Sequence, residues 1–292
     1  MYESNQQPLP AGTLSKVFSK QLAILQHQFA SNPAMQRLNP DNVVRWADKQ
    51  HRPLFTDICR RLLLPGSQIV GLDQLQKLTQ LARDGQSCLL CLNHRSNLDV
   101  PTLDAMLTDF DEPALFDRLI WIAGRKLEED ENLTSQLIKG FNRILVTPHS
   151  WFNTIHPEEQ VAEAKRINMA AERSMLALRH EGWVFSLFPA GTRLRPNDES
   201  SKHAIAETDS YLKAFDNLLL CHISGCTLPV SQDHAFINER PRLDRMVYTF
   251  GTVRRTSEWR KRTAAKYPQL DHRAASAAGI EAAIEALGKR RQ

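Results

Sequence analysis

The chain has 292 residues, of which 42% are hydrophobic and 24% charged, with a net charge of +4. That length can bury a substantial core, and the balance is ordinary for a water-soluble globular protein, so the mild positive charge gives no argument for a nucleic-acid partner. No apolar run approaches the roughly 20 residues needed to span a bilayer, and MYESNQQPLPAG at the start lacks the basic and apolar regions of a signal peptide.

Residues 1–12 are polar and proline-bearing and read as disordered. From Leu14 to His27, Leu14, Val17, Phe18 and Leu22 recur at helical spacing. Asn39-Pro40-Asp41 reads as a turn and N-cap. It opens a second helix through Val44 and Ala47 that resumes after Pro53 with Phe55, Ile58 and Leu62. Residues 1–65 are therefore expected to form a small N-terminal helical region, ended by Pro65-Gly66. Gln68–Gly71 is a short strand, and Leu72–Asp84 a helix with Leu75, Leu78 and Leu81 on one side and Gly85 after its end.

The next stretch, Cys88–Pro101 (CLLCLNHRSNLDVP), holds the strongest signal. Five apolar residues predict a buried strand, five polar residues a sharp corner, and Pro101 the first turn of a helix with Asn97 or Asp99 as its cap. His94 is thus placed at the carboxyl end of a buried strand, where α/β folds bind ligands, and Asp99 where the next helix starts. Across such a corner the carboxylate can reach one imidazole nitrogen and leave the other as a base. His-x4-Asp spacing is common by chance; its context is what gives it weight. Asp104, Asp109, Asp111 and Glu112 read as a solvated acidic face and loop.

Leu119–Ala123 is a second buried strand, followed by Gly124-Arg125-Lys126, where cations point to an anionic ligand. Gly140–Arg143 introduces a third, Ile144–Val146, and His149 reads as a loop residue. Pro157–Glu159 starts a long amphipathic helix ended by Gly182, and Trp183–Phe188 is a fourth strand. In the following Pro189–Pro196, Gly191 allows a close backbone approach, and Arg193 and Arg195 can project to one side as a phosphate clamp. Ser200–Ser210 reads as a loop, Leu218–Ile223 and Thr227–Val230 as late strands, and Ala274–Leu287 as a final helix. Cations gather from Arg254 to Lys289-Arg290-Arg291, a basic tail suited to lipid headgroups or an acidic carrier protein.

Cys59, Cys88, Cys91, Cys221 and Cys226 form no disulfide framework; Cys88 and Cys91 lie three apart in a strand and point to opposite faces. No cluster has metal-ligand spacing, so no metal or other cofactor is expected. There are no repeats and no nucleic-acid motif.

NHRSNLD (Asn93–Asp99) resembles the His-x4-Asp motif of the glycerolipid acyltransferases, and FPAGTRLRP (Phe188–Pro196) resembles their phosphate-binding motif, with Ala190 where most members have Glu. The resemblance spans residues 68–232. It implies a glycerol-3-phosphate acyltransferase-like α/β fold, a mixed sheet flanked by helices, with a helical region at 1–65, a catalytic domain at 66–253 and a basic helical tail at 254–292. It also implies acyl transfer from acyl carrier protein or CoA to the sn-1 hydroxyl of glycerol 3-phosphate. Catalysis would rest on His94 and Asp99, and acceptor binding on Lys126, Arg143, Gly191, Thr192, Arg193 and Arg195. The Ala190 pattern is closest to the plastid-type enzymes that lack a membrane span, which fits a cytosolic protein with peripheral contact to the inner face of an anionic membrane. Two alternatives stay open: acylation of a lysophospholipid such as lysophosphatidate, and a non-catalytic lipid- or acyl-carrier-binding protein.

Overall fold

The computed structural model describes residues 9–30, 37–129, 133–233 and 235–289. Its strands are β1 (Val44–Arg45), β2 (Gln68–Val70), β3 (Cys88–Leu92), β4 (Leu119–Gly124), β5 (Arg143–Val146), β6 (Val184–Leu187), β7 (Asn217–Ser224), β8 (Val247–Phe250) and β9 (Arg254–Arg255). They form one mixed sheet in the order β1-β5-β4-β6-β3-β7-β8-β2, with β9 paired to the start of β7. The five strands from β5 to β7 in that order run parallel, while β1 and β8 pair antiparallel with β5 and β7. The central β3 carries only apolar side chains because both of its faces are covered.

The longer helices are α1 (Ser19–Ala30), α2 (Arg52–Leu62), α3 (Leu72–Arg83), α4 (Asp99–Asp109), α5 (Glu158–Leu178), α6 (Thr208–Ala214), α7 (Thr256–Lys266) and α8 (His272–Lys289). Phe55, Leu75 and Leu103 from α2, α3 and α4 pack with Cys88, Leu90 and Leu92 on one face of the sheet. Ile167, Leu212 and Ile280 from α5, α6 and α8 pack with Leu89 and Cys91 on the other. The period of two in β3 thereby sends Cys88 and Cys91 to opposite cores. All five cysteines are free and buried, and burial pushes the Cys59 and Cys88 thiols up to about 12. Each fully buried leucine or isoleucine contributes about 1.5–3 kcal/mol, so the double-sided core holds the carboxyl ends of β4, β6 and β3 in fixed register.

Several local expectations change. Val44–Arg45 is not helical: it is an edge strand whose Val44 and Arg45 pair with Ile144 and Arg143. Asn39 does cap a turn, but only the short 3₁₀ turn Pro40–Asn42. Asp104 is not solvated; it is buried and accepts two hydrogen bonds from Arg52, at 3.0 and 2.5 Å. Ser200–Ser210 is a loop only between its ends: a 3₁₀ turn covers Glu199–Lys202 and α6 begins at Thr208. Thr227–Val230 forms no strand, since Pro229 offers no N–H to a ladder. Residues 1–8 and Arg290 and Arg291 of the basic tail lie outside the described residues. Among those described, no helix is long and apolar enough to cross a membrane.

Candidate active site

The chain leaves β3 at Leu92 and turns through Asn93–Leu98 into α4. Asn93 fixes the start of that turn: its side chain accepts from the Ile223 N–H at 2.7 Å and donates to the Ile223 carbonyl at 3.1 Å. Asp99 fixes the end. Its Oδ2 accepts from the backbone N–H groups of Arg95 and Ser96, at 2.7 and 2.9 Å, and from His94 Nδ1 at 2.9 Å. Asp99 is the first residue of α4, so the helix N-terminus favours its negative charge. Tyr248 from β8 locks the same turn by donating to the Asp99 carbonyl at 2.6 Å. With Nδ1–H committed to the carboxylate, the imidazole is in the tautomer that leaves Nε2 able to accept a proton.

The ring plane is fixed as well. His94 stacks on Phe188 with centroids 3.9 Å apart and planes 9° apart, and Phe188 lies over Trp121 at 5.5 Å. Phe188 follows β6 directly, and Cys91 on β3 is level with Leu187 on β6, so the parallel register brings the two strand ends side by side. The loop after Phe188 is tied to the His94 corner by a hydrogen bond from the Leu194 N–H to the His94 carbonyl, 2.8 Å long. In that loop Gly191 has φ +65°, a conformation L side chains rarely adopt.

These elements open onto a cleft of about 1840 Å³ at the carboxyl edge of the sheet. His94, Lys126, Gly191, Thr192, Arg193 and Arg195 all line it. Apolar walls rise on both sides, with Trp121, Phe141 and Phe236 on one and Met175, Tyr211 and Phe215 on the other. The arrangement can hold an anion beside a tautomer-locked imidazole with an apolar chain alongside.

A comparison with protein families decides the class. The family model described as Acyltransferase matches residues 68–221, more than half of the chain. The chain belongs to the acyltransferase family. No curated protein matches it.

The matched span of this acyltransferase starts with β2 and ends inside β7, and includes both the Asn93–Asp99 corner and the Phe188–Pro196 loop. Membership makes the protein an acyl-transfer enzyme. Two candidate residues do not line the cleft: Asp99, buried and bonded to His94 Nδ1, and Arg143. Arg143 sits at the start of β5, 3% exposed, with Nε donating to Glu128 Oε1 at 2.7 Å and Nη2 to the same oxygen. It does not line the cleft, and Arg45 binds the other Glu128 oxygen at 3.2 Å. Arg193 and Arg195 do line it, but each has a carboxylate partner: Arg193 donates to Glu239, and Arg195 lies 3.6 Å from Asp198.

Four residues of the site had no sequence signal that singled them out: Asn93, Trp121, Tyr248 and Glu239. Asn93 and Trp121 lie in stretches already marked as corner and strand, so position alone could have flagged them. Tyr248 and Glu239 lie beyond the family match and become visible only in three dimensions.

Proposed function

We propose that this acyltransferase moves a fatty acyl group from an acyl thioester to the sn-1 hydroxyl of glycerol 3-phosphate. The observation that carries the reading is that His94, bonded to the buried Asp99, opens onto the same cleft as Lys126, Arg193 and Arg195. A phosphate held by those cations anchors one end of a small polyol and leaves its hydroxyl to be presented to the imidazole. Alignment of that kind can supply about 7–11 kcal/mol of the barrier when the reacting atoms are held in an attack geometry.

His94 Nε2 takes the proton of the acceptor hydroxyl as its oxygen attacks the thioester carbonyl carbon. Asp99 stabilises the imidazolium and holds its orientation. The tetrahedral intermediate collapses with cleavage of the carbon–sulfur bond, and the departing thiolate takes the proton back from His94. Ester and free thiol are the products. The thioester is already activated, so no enzyme-bound acyl intermediate is required.

The cleft's apolar walls on both faces of the sheet favour a second reading, in which the acceptor is lysophosphatidate and already carries one chain. Thiol release from acyl-CoA and from acyl–acyl carrier protein, with glycerol 3-phosphate and lysophosphatidate in competition, tests both. Release that depends on glycerol 3-phosphate supports the first reading, dependence on lysophosphatidate alone supports the second, and release with neither overturns both.

A further inference from the structure

The cleft does not end at His94. It continues as a groove between α5 and α6 on one face of the sheet. Asn168, Glu172, Met175 and Arg179 recur at helical spacing along α5 and its C-cap, and all four line the cleft. Tyr211, Ala214 and Phe215 line it from α6 and the residue after that helix. Arg179 Nη1 donates to the Ala214 carbonyl at 2.7 Å and so bridges the two helices.

That bridge marks the far end of the groove. Ala214 precedes β7, whose first residue, Asn217, is level with Cys88 at the start of β3. His94 follows the other end of β3, at Leu92. The steps from Cys88 to Leu92 alone span about 13 Å at roughly 3.3 Å per residue. The groove therefore runs from the catalytic corner towards the amino edge of the sheet.

Its chemistry is mixed. Met175, Tyr211 and Phe215 are interleaved with Glu172, Arg179 and Thr147, whose buried hydroxyl has no hydrogen-bond partner among the described residues. Arg179 Nε is buried and unpartnered as well, and among those residues no carboxylate pairs with Arg179. Arg193 and Arg195 each have one. A hydrocarbon chain laid along this wall would leave a guanidinium and a hydroxyl facing methylenes. An extended chain with amides along its length and an anion at its end would satisfy both, and Glu172 offers an acceptor to an amide N–H. Length narrows the choice further. About 13 bonds separate the sulfur of phosphopantetheine from its phosphorus, roughly 15 Å at the reach of an extended backbone.

We propose that the groove between α5 and α6 holds the phosphopantetheine arm of the acyl donor, with the thioester at His94 and the phosphate on Arg179. The inference rests on the reading of the donor as an acyl thioester. CoA and acyl carrier protein present the same arm, so Arg179 recognises what the two share.

Decanoyl-pantetheine and decanoyl-phosphopantetheine differ only in that phosphate. Thiol release from each, with decanoyl-CoA and decanoyl–acyl carrier protein alongside and glycerol 3-phosphate or lysophosphatidate as acceptor, tests the assignment. Wild type should show a KM for decanoyl-phosphopantetheine about tenfold below that for decanoyl-pantetheine, the low end for a charge-assisted hydrogen bond. Arg179→Ala should abolish the difference by raising only the first value, with kcat unchanged. Its unaltered KM for decanoyl-pantetheine would show that the variant is folded. Arg173→Ala, which removes an exposed cation of α5 that does not line the cleft, should behave as wild type. Whichever of CoA and acyl carrier protein also loses affinity in Arg179→Ala is the carrier read at this site. A wild type that treats the two pantetheines alike, a difference kept in Arg179→Ala, an equal loss in Arg173→Ala, or unchanged KM for both carriers would each overturn the proposal and leave the thioester reading intact. Thiol release from none of the four donors would overturn the thioester reading as well.

Discussion

Arg193, on the loop after β6, donates to the carboxylate of Glu239, a side chain with no exposed surface on the segment leading away from the cleft rim. Leu14 reaches the same residue from the N-terminal region, its N–H donating to the Glu239 carbonyl at 2.7 Å. The cation proposed to bind phosphate is therefore held by a buried group outside the family match, itself pinned by backbone.

Glu239 acts on Arg193 in two opposed ways. It fixes a side chain that otherwise has about 2 kcal/mol of rotamer entropy to lose on binding, and it competes with phosphate for the same N–H groups. Two variants separate these effects. Glu239→Ala loses the position, and KM for glycerol 3-phosphate should rise about tenfold, the low end for a lost charge-assisted hydrogen bond, with kcat little changed. Glu239→Gln keeps an acceptor oxygen and removes the competing charge, so its KM should be at or below that of wild type. Equal KM values for the two variants would mean that Glu239 does not position Arg193.

The His94–Asp99 pair predicts a different kinetic pattern. His94→Ala removes the base and should lower kcat about 10²–10⁴-fold with little effect on acceptor KM. Asp99→Asn can keep an acceptor oxygen where Oδ2 takes the His94, Arg95 and Ser96 hydrogens, but it removes the charge that stabilises the imidazolium, so kcat should fall about 10²-fold. Thiol-release kinetics give both values. A large rise in acceptor KM alongside the fall in kcat would instead indicate a collapsed corner, because Asp99 also accepts the Arg95 and Ser96 N–H groups.

Much of this corner was legible beforehand because each local preference agrees with the next. An apolar run, a polar turn and a proline-started helix have one simple reading, and the observed β3 and α4 fit it within two residues. Arg143 shows where such reasoning ends. A cation flanking a strand has the same sequence signature whether it faces substrate or a buried carboxylate, and its partner Glu128 lies 15 residues away on another element. Val44–Arg45 was missed for another reason: two residues are too few to display a period of two, so the apolar residues around Pro53 extended the helical reading backwards. Glu239 carries no motif at all. Only the fold brings it to Arg193.

Arg143 itself gives a stability prediction. Burial lowers the pKa of its guanidinium, and Glu128 opposes that shift, so the pair is an ion pair taken out of water. Removing one partner of such a pair strands the other charge and typically costs about 3–5 kcal/mol. Arg143→Ala should fall near the low end, since Arg45 still reaches Glu128. Urea unfolding measures the loss. Acceptor KM, taken at a temperature where the variant is folded, should match wild type; a raised KM would give Arg143 a role in binding after all.

Asp209 on α6 ties the C-terminal helices to the body of the enzyme, and its titration sets an acid limit. It has no exposed side-chain surface, yet it accepts from Arg260 of α7 at 2.8 Å and from Ser276 of α8 at 2.6 Å, and Lys213 lies 3.0 Å away. Burial opposes its charge, but these partners outweigh burial and hold the carboxyl at about 2. A carboxyl lowered in the folded state adds stability above its unfolded value of about 3.9, and that stability is lost as pH falls towards the folded value. The difference between about 3.9 and about 2 corresponds to about 2.5 kcal/mol. Asp209→Asn should therefore lower the unfolding free energy by roughly that amount at pH 7, and the gap to wild type should close as pH drops from about 4 towards 2. Urea midpoints measured across that range test it. A gap that stays constant with pH would show that the Asp209 charge contributes nothing and that only the packing of α6 against α7 and α8 matters.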